Sequence, residues 1–386
     1  MPEGQSLGVW LSEPVKEVRD VRWTRREFVR GAAVGGGALL LGASAGRVFA
    51  QDAEPQAVPK RKFEKLDLEV PIMCLGTVPL TDYAPVLRGL EWDLHFVHTC
   101  SDYGGGKAIR EVAKAIKDQR DKYILGIKTR LDYDTVKSDL EILGTDHVDI
   151  TYFHTTDESE PGQTWVKDAF DRLKADGMTK GLGLTCHGNQ APVLSAGLEA
   201  GWYDVFMPGY NSGNMDQIDP IMEKAKDKGI GGMVMKSLAG IDRANAATQA
   251  PPVWATMLSK AWWTTVCWSV ITDDDVDLLG KTALKWEQLV DEEKETARAA
   301  AAVGRICSSC DNCTRVCPSG VPVRDILRYE MYAVDYGWRR HARAQYAMLG
   351  DSQKALACTN CGTCVAGCKA RLDIPARLAG AHRVLA

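Results

Sequence analysis

The stretch LHFVHTCSDYGGGKAIREVAKAIKDQRDKYILGIK, residues 94–128, decides how the middle of this 386-residue chain is read. It opens with a short apolar, β-rich run, Leu94–His98, and closes with another, Tyr123–Lys128. Between them Ile109, Val112, Ala113 and Ile116 recur at i, i+3, i+4 and i+7, the spacing of one apolar helix face. Strand, amphipathic helix, strand is a crossover unit, and the alternation continues on both sides. Further candidate strands are Pro71–Leu75, Val148–Phe153, Lys180–Leu184, Asp204–Met207, Gly231–Met235 and Thr264–Val270. Eight strands, most followed by a helical pattern, make the count of a (β/α)8 TIM barrel in the α/β class. A doubly wound open sheet is the alternative. It calls for a phosphate-binding glycine fingerprint after its first strand, and CLGTVPL at 74–80 has none.

In a barrel, chemistry sits where the strands end. The polar residues found there are His98, Tyr103, Lys128, His154, His187, Asn211 and Lys236. One such side chain alone is more often structural than functional. Seven along one rim point to a site.

Downstream, residues 307–318 read CSSCDNCTRVCP and residues 358–368 read CTNCGTCVAGC. Both are C-x2-C-x2-C-x3-C, the bacterial ferredoxin run. Two-residue gaps let three thiolates of one turn converge on one face of an iron–sulfur cube. The fourth, beyond a three-residue gap, serves the neighbouring cluster. By that rule Cys307, Cys310, Cys313 and Cys368 hold one [4Fe-4S] cluster, and Cys358, Cys361, Cys364 and Cys317 hold the other. Zinc would prefer two C-x2-C pairs across a longer loop, and disulfides within C-x2-C close strained small rings. The remaining cysteines are Cys74, Cys100, Cys186 and Cys267; Cys100 and Cys186, near the rim, read as small buried hydrophobes before reactive thiols. Val323–Leu356, between the motifs, is rich in helix formers, so a small α-helical ferredoxin-type domain is expected at 286–386. RLDIPARL after the second motif echoes SGVPVRDIL after the first, the mark of an internal duplication.

Upstream, residues 24–50 read TRREFVRGAAVGGGALLLGASAGRVFA, an arginine pair before a soft apolar run ending in Val48-Phe49-Ala50. The run is short of the ~20 apolar residues of a membrane span. It resembles a twin-arginine export leader with a small-residue cleavage site. Clusters are assembled in the cytoplasm, so a chain carrying them must leave it already folded. The two ends of the sequence explain each other, and a periplasmic or other extracytoplasmic location follows, with or without a retained leader as anchor. The expected domains are a leader at 1–50, a linker at 51–62, the barrel at 63–285 and the cluster domain at 286–386. The whole chain carries 47 Lys/Arg against 51 Asp/Glu. Removing the seven basic and five acidic residues of the leader leaves 40 against 46, net −6, with no basic block, which argues against a nucleic-acid partner.

The rim residues carry a resemblance. HTCSDYG, ILGIKTR and HVDITYFH resemble the corresponding strand ends of the aldo/keto reductases, and the cysteine block resembles an iron–sulfur branch of that family. The resemblance implies that Tyr103 is the catalytic acid/base and that Lys128 lowers its pKa. It also implies that His154 orients the carbonyl and that His98 stands where the family has the carboxylate paired to the lysine. It further implies an NADP(H) site in which Thr185, Cys186 and His187 replace a Ser-Asn pair and Met207 replaces a glutamine. Tyr210 would stack on the nicotinamide ring, with Asn211 and Lys236 close by. The acids Asp273, Asp274, Asp275 and Asp277 fall where a 2′-phosphate would be bound, and they would repel it.

Two functions are consistent with these residues. One is an exported oxidoreductase acting on a small carbonyl or alcohol substrate and exchanging electrons through two clusters with a redox protein or membrane carrier. The other is an electron-transfer or binding protein whose barrel is a degenerate scaffold. The tryptophans near the eighth strand, Trp262, Trp263 and Trp268, read as core before a substrate pocket.

Overall fold

The computed structural model of the chain describes residues 57–386. The leader expected at 1–50 and the first half of the expected linker lie outside these residues. The second half of that stretch is not a linker. Lys60–Phe63 (β1) pairs antiparallel with Leu68–Pro71 (β2). A single side chain explains the strand: Phe63 is fully buried and packs edge-on against Phe96 at 6.2 Å inside the barrel floor.

The barrel strands are Met73–Gly76 (β3), Phe96–Thr99 (β4), Ile124–Thr129 (β5), Val148–His154 (β6), Thr179–Cys186 (β7), Val205–Pro208 (β8), Gly231–Val234 (β9) and Thr265–Ser269 (β10). Each pairs parallel with the next, and β10 closes on β3. All eight expected strands are present. Inside the barrel Tyr152 fills the centre, its hydroxyl 3.2 Å from the Met233 sulfur. The neighbouring strands yield space to it: a Cβ on Gly183 would lie 2.2 Å from the Tyr152 ring.

The helices between strands build a second apolar layer, and this layer does not stop at the barrel. Ile326, Leu327, Tyr332 and Trp338 from the C-terminal region belong to the same buried cluster as the barrel helices. That region is helical as expected, with helices at Glu292–Ala302, Val323–Val334, Arg339–Ala347 and Ile374–Leu385. Residues 57–386 therefore pack as one body. Polar contacts fasten the seam: the Asn189 N–H donates to the Ser309 carbonyl (2.8 Å), and Asp335 accepts from the N–H groups of Gly240 and Arg243 (both 2.7 Å). No described helix is long and apolar enough to cross a membrane.

Candidate active site

The C-terminal ends of the barrel strands form a mouth, and the helix Val323–Val334 lies over it. His98 and Lys128 lie next to the ends of β4 and β5, His154 ends β6, and His187, Asn211 and Lys236 follow β7, β8 and β9. Tyr103 enters from the loop after β4.

The Lys128 ammonium sits 4.9 Å from the centre of the Tyr103 ring, over its face. That is a cation–π contact. Burial holds the Tyr103 phenol well above its ordinary pKa, and Cys100, Tyr332, Cys267 and Asp102 act in the same direction. The expected lowering by Lys128 is corrected: the cation contacts the π-face, and burial dominates.

His98 is buried, with its ring edge-on to Tyr152 at 5.3 Å. Burial, then the Lys128 and Lys236 cations, push its pKa down to about 3. It is a neutral imidazole and gives Lys128 no ion pair. Asp102 is exposed and makes no bond to Lys128 among the described residues. His154 is likewise driven to about 3 by burial and then by Lys128, Arg328, Arg130 and Arg324. Its ring lies 4.9 Å from that of His187, whose pKa burial also lowers. The Nε2 atoms of His98 and His154 are both buried without a hydrogen-bond partner.

Three expected cofactor residues are not at the mouth. The Thr185 hydroxyl donates to the Met207 carbonyl (2.8 Å), and Cys186 is fully buried among the helices, where burial raises its thiol pKa. Tyr210 packs on Trp263 at 4.6 Å; its hydroxyl donates to Asp219 (2.7 Å) and accepts from Lys260 (2.6 Å). Their side chains belong to the outer packing layer or its backbone bonding. Asn211 braces its loop, its amide donating to the Lys236 carbonyl (3.3 Å) and its oxygen accepting from Gly213 N–H (3.0 Å). Of the expected acids, Asp275 is paired with Arg243 (2.5 Å) and caps its own helix through Thr272, and Asp277 is held by Arg88 and Trp92. Cys100 is buried, its thiol pushed up to about 11. Trp263 is core, whereas Trp268, also buried, helps to line the mouth.

Lys236 is the residue on which the mouth turns. Its backbone is left-handed, φ +58°, a conformation that costs a non-glycine residue on the order of 1 kcal/mol. This aims the ammonium at the overlying C-terminal region, 4.3 Å from the Tyr332 ring centre, 5.4 Å from Trp338 and 5.8 Å from Tyr336. Burial works to raise the Tyr332 pKa, but the Lys236, Arg328 and Lys128 cations outweigh it, and this phenol lies below its ordinary value. The sequence reading missed Tyr332. A signal was there: Arg324, Arg328, Tyr332 and Tyr336 fall every fourth residue, one face of one helix and its immediate extension.

Two spaces open from the mouth. One, about 40 Å³, lies between His98, Tyr103, Trp268 and Trp338, and has room for a few waters. The other, about 560 Å³, runs from His187, Asn211 and Lys236 to Arg324, Arg328 and Cys307. Cys307, Cys310, Cys313 and Cys368 line one small hollow of the C-terminal region, and Cys317, Cys358, Cys361 and Cys364 line another. Among the described residues no three such ligands close round a point as a single ion requires. Four thiols spread about a hollow suit a larger group. Cys307 and Arg324 border both the first hollow and the 560 Å³ cavity.

Residues 86–260 match the family model described as aldo/keto reductase family, and residues 306–372 match one described as a 4Fe-4S dicluster domain. Among solved structures, the holo form of the aldo-keto reductase AKR11C1 from Bacillus halodurans is similar to this chain. Its identity is 18%, it covers 62% of this chain and 99% of its own, and the TM-score is 0.50. The thermostable aldo-keto reductase Tm1743 with the inhibitor epalrestat matches at 17% identity over 63% and 99%, with a TM-score of 0.51. At these identities the likeness is one of fold. No curated protein matches the chain.

Proposed function

From a barrel of the aldo/keto reductase family joined to a 4Fe-4S dicluster domain, we propose an exported oxidoreductase that interconverts a carbonyl and an alcohol at the barrel mouth and carries two [4Fe-4S] clusters. The observation that carries this reading is the sorting of eight thiols about two hollows, one of which shares Cys307 and Arg324 with the cavity that reaches Lys236. Cys307, Cys310, Cys313 and Cys368 would hold the near cluster, and Cys317, Cys358, Cys361 and Cys364 the far one. When bound, the clusters supply one-electron capacity each, matching the two electrons that separate an alcohol from a carbonyl.

The chain's own residues handle position and protons. Tyr332, held below its ordinary value by Lys236 and Arg328, is the phenol of the mouth that gives up its proton more readily. His154 and His187, neutral, can donate or accept a hydrogen bond at the substrate oxygen without adding charge. Tyr103 and Lys128 form the opposite wall. The 40 Å³ space beside Tyr103 is too small for a nicotinamide ring, so NADP(H), if used, enters through the larger cavity. Export by the leader at 24–50 and a periplasmic redox partner or membrane carrier complete the reading.

The test is made on anaerobically purified, cluster-loaded protein. About eight irons per chain and two interacting paramagnetic centres on reduction support two clusters. Calorimetric titration with NADPH and then NADH decides the nicotinamide question, and a carbonyl panel with a one-electron dye decides turnover. Intact clusters with no turnover by either route would favour the second reading, an electron carrier on a barrel scaffold, which the tight space at Tyr103 supports.

A further inference from the structure

The 560 Å³ cavity has walls from both parts of the chain, and its charge does not balance. Most cations of its lining have a carboxylate partner: Arg324 and Arg328 share Asp311 and Asp325, Arg298 has Glu295, and Arg377 has Glu330. Lys236, Lys294 and Arg305 have none among the described residues. Against them the lining offers one further acid, Asp335, already engaged by the Gly240 N–H. Two positive charges are left over. The deepest of them, Lys236, is half-buried on a left-handed backbone, and a cation drawn partly out of water with no carboxylate beside it favours a ligand of opposite sign.

A second observation marks the cavity as a binding site. Gln190 is 5% exposed, and its Oε1 has no hydrogen-bond partner; the Nε atom of Arg328 is also buried and unpartnered. Both residues line the cavity. Buried polar atoms are rarely left unpaired, and a cluster of them around a cavity marks groups that wait for a ligand. Among the charged side chains of the lining, cations outnumber carboxylates. The volume is that of a small-molecule site.

We infer that the cavity between the barrel mouth and the dicluster domain binds a small organic dianion, bearing either two carboxylates or a phosphate ester. Its charge offsets the two unmatched cations, one anionic group meeting Lys236, and its uncharged remainder faces His187. The inference rests on the reading above, because it makes this dianion the substrate class of that site.

Binding can be measured without turnover. Cluster-loaded full-length protein is titrated calorimetrically, at low and at moderate salt, with succinate, with glycerol 3-phosphate and with neutral succinamide. One dianion is expected to bind one per chain, at least about thirtyfold more tightly than succinamide, and more weakly as salt rises. Which dianion wins tells a dicarboxylate from a phosphate ester. Lys236→Met should lower its affinity by about thirtyfold. Since that variant could disturb the fold, Arg305→Gln, at an exposed position, is the second probe, with a loss of about threefold that fades at high salt. Equal affinity for dianions and succinamide, or no dianion binding while the cluster absorbance is intact, overturns the inference. Turnover of neutral carbonyls in a protein that ignores dianions would overturn it and leave the oxidoreductase reading standing. Dianion binding without turnover would do the reverse.

Discussion

Two tyrosine–lysine pairs face one mouth, and they behave in opposite ways. Tyr103 and Lys128 both come from the barrel, 4.9 Å apart; Tyr332 comes from the dicluster domain to meet Lys236 of the barrel at 4.3 Å. The contact is nearly the same, yet the first phenol lies well above its ordinary pKa and the second below it. Both are buried. What separates them is company: Tyr332 stands among Lys236, Arg328 and Lys128, whereas Tyr103 stands among Cys100, Cys267, Asp102 and Tyr332 itself. One cation over a ring does not overcome burial, but several converging cations do.

The largest effect that can break this comparison is catalytic. Tyr332→Phe should cut turnover by about 10²–10⁴-fold with clusters intact, while Tyr103→Phe costs less than about tenfold. The reverse order, in steady-state rates of the anaerobic holoenzyme, would restore Tyr103 as the proton donor.

Packing gives the next contrast. Gly183→Ala should destabilise the barrel by about 3 kcal/mol or more, since its Cβ meets the Tyr152 ring at 2.2 Å where nothing can move aside. Thermal melting measures this. At the seam, Asp335→Asn keeps the shape and weakens one charge-assisted bond to Gly240, a loss of about 1 kcal/mol.

Acid sensitivity sharpens the contrast further. His98 and His154 have folded pKa values of about 3, below the ~6.5 of an unfolded histidine. The unfolded chain therefore binds their protons first. Stability is full above about pH 6.5 and falls as pH drops toward 3, by up to about 1.4 kcal/mol per pH unit for each imidazole. His98→Gln should flatten part of that slope in denaturant titrations between pH 7 and 5, and an unchanged slope would contradict a neutral, buried His98.

The barrel was legible because its eight strands alternate with helices of clear 3.6-residue period, as in 107–116. The cysteine runs carried even their crosswise sorting, since the three-residue gap sends Cys317 and Cys368 to opposite hollows. Three things were not legible. The β1 strand hangs on Phe63 alone in a charged stretch, and one aromatic residue makes no pattern. Strands covered on both faces show no alternation, so nothing in GLTC or GYN told which side chains point to the helices; Cys186 and Tyr210 do. Tyr332 showed in the sequence only its helical spacing from Arg328; Lys236 and Lys128, which complete the set of cations, lie far away on other elements, and charge convergence of that kind exists only after folding.

The apolar layer that runs unbroken from the barrel helices into Ile326, Leu327, Tyr332 and Trp338 has a consequence for ancestry. A barrel released from its tail near residue 285 would bare that layer and lose the phenol over Lys236. The tail, grafted onto a sister barrel, would bring Tyr332 along with its cysteines. The two halves can be exchanged only as a lock with its key, so substitutions at Lys236 and at Tyr332 should be inherited together.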